Sequence, residues 1–298
     1  MAIFFMLVAS LTSNLLHLIV CKRKKCVNAY GKEKMVMDGY IIEQYRFPSP
    51  NPHIDVFLVT YLCQGIKMKG FLAIPKAPGV YDGFLYLRGG IKSVGQVRLA
   101  RITQFASYGF VVMAPFYRGN QGGEGNEDFA GEDRYDALAA FRLLQQHPNV
   151  NERRIHVFGF SRGGAMALHT AILEPRVCSV AVWGGVSDVA LTYWEREDLR
   201  RMMKRVIGGT PTKYPERYRW RTPLYEIEKI HAPVLIIHGE KDRNVSIEHA
   251  YRLEKRLKEL NKQVTTWYFP QFTHYFPPKE NRETVRRLTE WMKRQPNV

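Results

Sequence analysis

Hydrophobic and polar positions along the chain change period once, and that change organises the molecule. Tyr40 to Phe47, Ile54 to Leu62 and Ile66 to Ile74 have the composition of strands. The last two are separated by Cys63-Gln64-Gly65, and Lys67 and Lys69 alternate with Ile66 and Met68, which predicts an antiparallel edge leading a sheet. Beyond the turn-rich Pro75 to Asp82 the strands become short continuous apolar runs, of the kind buried on both faces. They are Phe84 to Leu87, Phe110 to Ala114, Ile155 to Phe160, Val177 to Trp183 and Pro233 to Gly239, with Val264 to Phe269 last.

Helical spacing fills the intervals. Gln96 to Tyr108 and Glu132 to Gln146 are predicted helices, the second with Tyr135, Leu138, Ala139, Leu143 and Gln146 nearly on one face. Another starts at Ser161. Ile247 to Leu260 turns Ala250, Leu253, Leu257 and Leu260 inward, and Thr284 to Met292 closes the chain with Val285, Leu288 and Met292 toward the sheet. Strands and helices alternating in this way predict an α/β fold, a mostly parallel, doubly wound sheet with helices on both faces. Residues 187–229 break the rhythm, with many Arg, Tyr and Trp residues and prolines at 211, 215 and 223. This short helical insertion is either a cap over the crevice or a solvated excursion.

Residues 35–298 form one predicted catalytic domain behind an extension, residues 1–34. Ala2 to Cys21 is largely apolar and is followed at once by Lys22-Arg23-Lys24-Lys25. A secretory signal carries its charges in front and ends at a small-residue cleavage site, so the stretch is a poor match to one. Ser10, Thr12, Ser13, Asn14 and His17 interrupt it and make it marginal as a span; a loose extension is placed first and membrane contact through residues 1–25 second.

Composition narrows the class. Apolar residues make up 45% and charged residues 24%, which excludes a disordered or collagen-like chain. The formal net charge is +16, but Lys and Arg are spread among acids and no nucleic-acid motif accompanies them, so a solvated basic surface is expected and no nucleic-acid partner. Cys21, Cys26, Cys63 and Cys178 form no C-x-x-C pair, which argues against a zinc site or a disulfide scaffold and for a reducing, cytoplasmic setting. The glycine-rich Tyr117 to Gly125 lacks a phosphate-loop pattern, and no dinucleotide fingerprint is present; no metal or organic cofactor is implied.

The chemistry is concentrated in Gly159-Phe160-Ser161-Arg162-Gly163-Gly164, set between an apolar strand and a helix. Small residues two before and two after a serine allow a turn so sharp that the hydroxyl stands proud, so Ser161 is the candidate nucleophile. A serine needs a base, and the base needs a carboxylate to hold its tautomer. Asp242 lies just past one buried strand and His274 just past the last, in the order Ser, Asp, His that belongs to this elbow. Asp188, also at a strand end, is the alternative acid, and Glu240 is close by. His249 is expected on a helix surface and His238 buried in its strand end. Arg88-Gly89-Gly90 closes the strand at 84–87, where a backbone N–H can turn toward the crevice as a second oxyanion donor.

Tyr86 to Gly90, Tyr117-Arg118-Gly119, Gly159 to Gly164, His238-Gly239-x-x-Asp242-x-x-Val245 and His274 together resemble the catalytic domain of the prolyl oligopeptidase family of serine peptidases, within the α/β-hydrolase fold. The resemblance runs from about Met35 to the C-terminus. It implies that Ser161 is the nucleophile, Asp242 the acid, His274 the base and the Arg162 N–H one oxyanion donor, in a hydrolase that cleaves a peptide, amide or ester bond through an acyl-enzyme. A carboxylesterase for small acyl esters and a catalytically inactive binding module are the alternatives; the expected partner is a small ester or short peptide. Two departures stand out. Arg88 replaces the His or Tyr usual before Gly-Gly, so the second donor falls to the backbone of Gly90, and there is no room for the family's β-propeller, so peptidase specificity does not carry over. Arg88 itself is expected either to bind a substrate carboxylate or to pair with Glu124 or Glu127 and fix the Gly89-Gly90 loop.

Overall fold

The computed structural model describes residues 21–22, 25–27, 33–34 and 38–298. The three short segments pair antiparallel with one another, and the expectations for the apolar stretch and the boundary near residue 35 lie largely outside the described residues. Among the described residues no helix is long and apolar enough to cross a membrane.

The main body is built on nine strands. They are β1 (Ile41–Phe47), β2 (Ile54–Cys63), β3 (Ile66–Pro75), β4 (Tyr81–Leu87), β5 (Phe110–Pro115), β6 (Val150–Phe160), β7 (Ser179–Trp183), β8 (Val234–Gly239) and β9 (Val264–Phe269). Their order is β9-β8-β7-β6-β4-β5-β3-β2-β1. The pairs joining β1, β2, β3 and β5 are antiparallel, and every pair from β5 through β9 is parallel. The expected α/β sheet is thus present, antiparallel at one end and parallel through the apolar runs. All residues of β5, β7 and β8 are buried, as their largely apolar sequences require, whereas β1 at the edge is largely exposed.

Helices cover both faces. The helices α1 (Leu99–Ser107) and α8 (Pro278–Lys293) pack on one face through Phe105, Leu288 and Met292. On the other lie α2 (Arg134–Gln146), α3 (Gly163–Leu173) and α7 (Ile247–Glu259), through Phe141, Leu168 and Leu257. The insertion holds α4 (Val189–Glu195), α5 (Glu197–Met203) and α6 (Pro215–Arg221), joined through a π-helical turn and followed by a 3₁₀ segment.

The departures from the sequence pattern have local causes. The strand β6 begins at Val150, five residues before its apolar run, because Val150 and Asn151 already pair with Tyr81 and Asp82; a register shift then leaves Glu152 and Arg153 exposed. Helix α8 starts at Pro278, since its first turn is polar and the apolar period begins only at Val285. Helix α2 is buried over more than one face: Asp136 and Ala137 are buried, while Tyr135 is half-buried and Gln146, expected on the inner face, is exposed in the last turn. Asp136 is buried because it takes the Arg118 guanidinium at 2.8 Å and the Arg118 N–H at 2.8 Å, which pins the Tyr117-Arg118-Gly119 loop. His249, expected at the surface, is buried on α7, where Nδ1 accepts the N–H of Ser187 and Asp188 and burial holds its pKa down at about 3.

The chain runs outward from β4 to β5 and returns to place β6 on the other side of β4. The order therefore reverses between the carboxyl ends of β4 and β6, which is where open α/β sheets form a crevice. Under that crevice Phe84 stacks on Phe105 at 4.3 Å and meets Phe110 at 5.4 Å. Phe84→Ala is expected to cost about 3–5 kcal/mol, measured as a lower midpoint of denaturant unfolding at unchanged slope.

Candidate active site

Ser161 directly follows β6 with φ +56°, a left-handed conformation that a side-chain-bearing residue adopts only under strain. Its carbonyl accepts the N–H of Gly164 and Val186, each at 2.9 Å, and its own N–H donates to the Trp183 carbonyl at 3.1 Å. The flanking glycines have no alternative. A Cβ on Gly159 would stand 2.0 Å from the Gly163 carbonyl, and one on Gly163 would stand 2.1 Å from the Leu87 carbonyl of β4. The serine side chain is half-buried and faces a cleft of about 300 Å³ that His274 also lines.

Asp242 and His274 meet beside it. Asp242 Oδ2 accepts from His274 Nδ1 at 2.7 Å, and Asp242 Oδ1 accepts the N–H of Asn244 at 2.8 Å and of Val245 at 3.0 Å. With Nδ1 engaged, Nε2 is the ring nitrogen left for the cleft. Phe160 and Tyr275 flank the imidazole at 4.7 and 5.1 Å between ring centroids. Gly184 backs the pair: a Cβ there would lie 3.1 Å from His274 Nδ1 and 3.2 Å from Asp242 Oδ2. His238 is buried as expected, and its Nε2–H donates to the Val245 carbonyl at 2.9 Å, bracing the loop that carries Asp242. Burial pushes the His238 pKa down, which keeps the ring a neutral donor.

The other candidate acids lie elsewhere. Asp188 caps α4 by accepting the N–H of Ala190 and Leu191 and pairs with Arg252 at 3.0 Å. Glu240 is exposed.

Arg88 does not reach the cleft as a substrate anchor. Its guanidinium is turned into the protein, 2% exposed, donating to the carbonyls of Gly89, Val94 and Phe116, each at 3.1 Å, and to Glu127 Oε1 at 3.0 Å. The cause is charge. Glu127 is buried and needs cations, and it takes Arg162 Nη2 at 2.6 Å on the same oxygen, while Oε2 accepts the Lys92 N–H. Glu124 instead accepts the Lys67 N–H at 2.8 Å. Both guanidinia lie over the Tyr117 ring, at 5.1 and 4.9 Å from its centroid. Burial pushes the Glu127 carboxyl up, but Arg162 and Arg88 together outweigh it and leave its pKa below the ordinary value. Burial pushes Arg88 down, reinforced by Arg162. Asp133, also fully buried, lies 3.5 Å from Arg162 Nη1 and is pushed up by its burial.

Of the two roles expected for Arg88, pairing with Glu127 is the one observed. That Glu127 is shared with Arg162 had no signal in the sequence, because Glu127 lies in no motif. It joins two segments that line the cleft, Gly89-Gly90 and the residue after Ser161. The N–H groups of Arg162 and Gly90 donate to no group among the described residues. Gly89 packs so closely that a Cβ on it would be 2.7 Å from Ser161 Cβ. The cleft is apolar over Tyr86, Phe158 and Trp183, and Thr192, Arg196 and Leu199 of the insertion form one wall.

Residues 96–298 match the family model for the prolyl oligopeptidase family. The uncharacterized peptidase YtmA of Bacillus subtilis (strain 168) is 68% identical over 254 residues, 85% of this chain and 99% of its own length. More distant relatives are longer: this chain spans 37% of the peptidase YuxL of the same organism. Among solved structures, Pyrococcus horikoshii acylaminoacyl peptidase superposes with a TM-score of 0.69 at 21% identity, over 86% of this chain and 42% of that one. Acetyl xylan esterase 1 from Thermoanaerobacterium sp. JW/SL YS485 superposes with a TM-score of 0.67 at 15% identity, over 83% of this chain and 87% of that one. These two likenesses establish the shared fold, that of α/β-hydrolase peptidases and esterases.

Two outcomes follow from the buried cluster. Arg88→Met should lower kcat by about 10²–10³ on acidic and neutral substrates alike, with KM little changed; a loss confined to acidic substrates would return Arg88 to the cleft. Glu127→Gln should destabilise the fold at neutral pH by about 3–5 kcal/mol, because buried Arg88 loses its counter-charge and Arg162 keeps only Asp133 at 3.5 Å. With a depressed folded pKa, Glu127 stabilises above the ordinary carboxylate value, and that contribution is lost as pH falls below about 4. Urea unfolding against pH should therefore show a flatter acid limb in the Gln variant than in wild type.

Proposed function

The chain belongs to the prolyl oligopeptidase family and is a serine hydrolase, and from that premise we propose that it cleaves an amide or ester bond through an acyl-enzyme on Ser161. The observation that carries the reading is the 2.7 Å contact between His274 Nδ1 and Asp242 Oδ2, in the cleft onto which the strained Ser161 opens. Asp242 holds the Nδ1–H tautomer, so Nε2 is free to take the serine proton as Oγ attacks the substrate carbonyl. The negative oxygen that develops would accept from the N–H groups of Arg162 and Gly90. His274 then gives its proton to the leaving nitrogen or oxygen, and water repeats the sequence on the acyl-enzyme.

The cleft narrows the substrate class. At about 300 Å³ it suits a small acyl group or a few residues of peptide. None of the described residues lining it is acidic, so the α-ammonium of a peptide N-terminus finds no counter-charge there. That favours substrates whose amino side is acylated or uncharged, and it supports the second reading, an esterase for small acyl esters, equally well. Rates on N-acyl aminoacyl amides and on nitrophenyl esters separate the two.

Ser161→Ala should abolish fluorophosphonate labelling and lower turnover by about 10⁴–10⁶ while the folded state persists. Activity within tenfold of wild type would remove Ser161 from the mechanism, and absence of labelling in wild type would favour a binding module. Asp242→Asn should be nearly as damaging through the wrong imidazole tautomer, and Asp188→Asn mild.

A further inference from the structure

Arg98 and Arg101, the residue before α1 and its third residue, both line the cleft. Buried or half-buried arginines elsewhere near the site are neutralised: Arg88 and Arg162 share Glu127, and Arg196 pairs with Asp198 at 2.6 Å. Arg101 is half-buried and has no carboxylate partner among the described residues; Nη1 donates to Gln104 Oε1 at 3.0 Å and Nη2 to Asn281 Oδ1 at 2.8 Å. Burial lowers its pKa and Arg98 lowers it further, with only Tyr86 acting the other way. An uncompensated guanidinium at a cleft wall is costly unless an anion arrives to meet it.

Its place relative to the reacting atoms follows from the chain beyond His274. Asn281, which takes Arg101 Nη2 at 2.8 Å, lies in the first turn of α8, just past the loop of His274 and Tyr275, and Tyr86, Arg101, Asn281 and Tyr275 line the same cleft. Tyr275 in turn lies 5.1 Å from the His274 ring. Since His274 returns its proton to the leaving group, we assign this side of the cleft to the leaving group.

We propose that Arg101, assisted by Arg98, is a subsite for a carboxylate carried on the leaving group, so that the substrates are N-acyl amino acids or short acylated peptides with a free carboxyl terminus. In this reaction the acyl carbon–nitrogen bond breaks, Ser161 Oγ takes the acyl group, and the leaving nitrogen takes the proton from His274. The carboxylate keeps its charge throughout and remains paired with Arg101. The neutral amides of Gln104 and Asn281 hold the guanidinium in place without cancelling its charge.

The assignment rests on the hydrolytic reading above, and the experiment separates the two. N-acetyl-Ala-Ala and its C-terminal amide are compared for kcat/KM with wild type, Arg101→Met, Arg101→Lys and Arg98→Met. Their binding to Ser161→Ala and to Ser161→Ala/Arg101→Met is followed by calorimetry. Wild type should prefer the free acid about ten- to hundredfold, mainly in KM, the scale of one charge-assisted contact. Arg101→Met should collapse that ratio, Arg101→Lys should retain part of it and Arg98→Met should reduce it. Equal binding of acid and amide by Ser161→Ala, or a preference unchanged in Arg101→Met, overturns the subsite and leaves Arg101 as a strut between α1 and α8. Preferential binding of the acid without turnover in wild type supports the subsite while removing the hydrolytic reading. Should Arg101→Met fail to fold, the wild-type and Arg98→Met ratios still decide.

Discussion

There is no room for a side chain between the carboxyl ends of β4 and β6. A Cβ on Gly163 would penetrate the Leu87 carbonyl, one on Gly159 the carbonyl of Gly163, and one on Gly89 the Cβ of Ser161. Three backbones therefore meet at van der Waals distance where the strand order reverses. Ser161 occupies the left-handed region because the turn between β6 and α3 must be completed within this space. The same compression brings Gly89 against the Ser161 side chain. The rest of the site is arranged around a position that the backbone alone has determined.

Holding that contact requires charge in the interior. Arg162 follows the nucleophile directly, and its side chain has only the space beneath the turn, where it is 2% exposed. A buried guanidinium must be paired. Glu127, from the end of the glycine-rich loop, pairs it and Arg88 together, so one carboxylate joins the loop, the elbow and the end of β4. The Tyr117 ring beneath both cations supplies its negative face as well. Glu127 thus ties these segments together without lining the cleft.

Charge is distributed differently on the cleft side. Acids are absent among the described lining residues, and Asp242 is turned to His274 with its other oxygen taken by two backbone N–H groups. The cleft is consequently apolar below and cationic on one side. Such a surface underlies the proposed preference for substrates uncharged on their amino side and anionic beyond the scissile bond.

Much of this was legible along the chain because it is encoded in short windows. The continuous apolar runs at 110–114 and 234–239 could only be strands covered on both faces, and the glycine spacing around Ser161 carries its own steric reason. Asp242 and His274 could be selected because each follows a strand end in the order the elbow demands. The role of Arg88 was not legible: its options depended on whether Glu124 or Glu127 lay within reach, and those acids are 36 and 39 residues away in a loop without period. His249 was misplaced at the surface for a related reason, since a histidine on a polar helix shows nothing of the two N–H groups that wait for it at 187 and 188. Sequence alone determined where backbone conformation is constrained, because sterics act between near neighbours. Tertiary structure alone decided which charges meet, because pairing in a low-dielectric interior acts across the whole chain and leaves no local pattern.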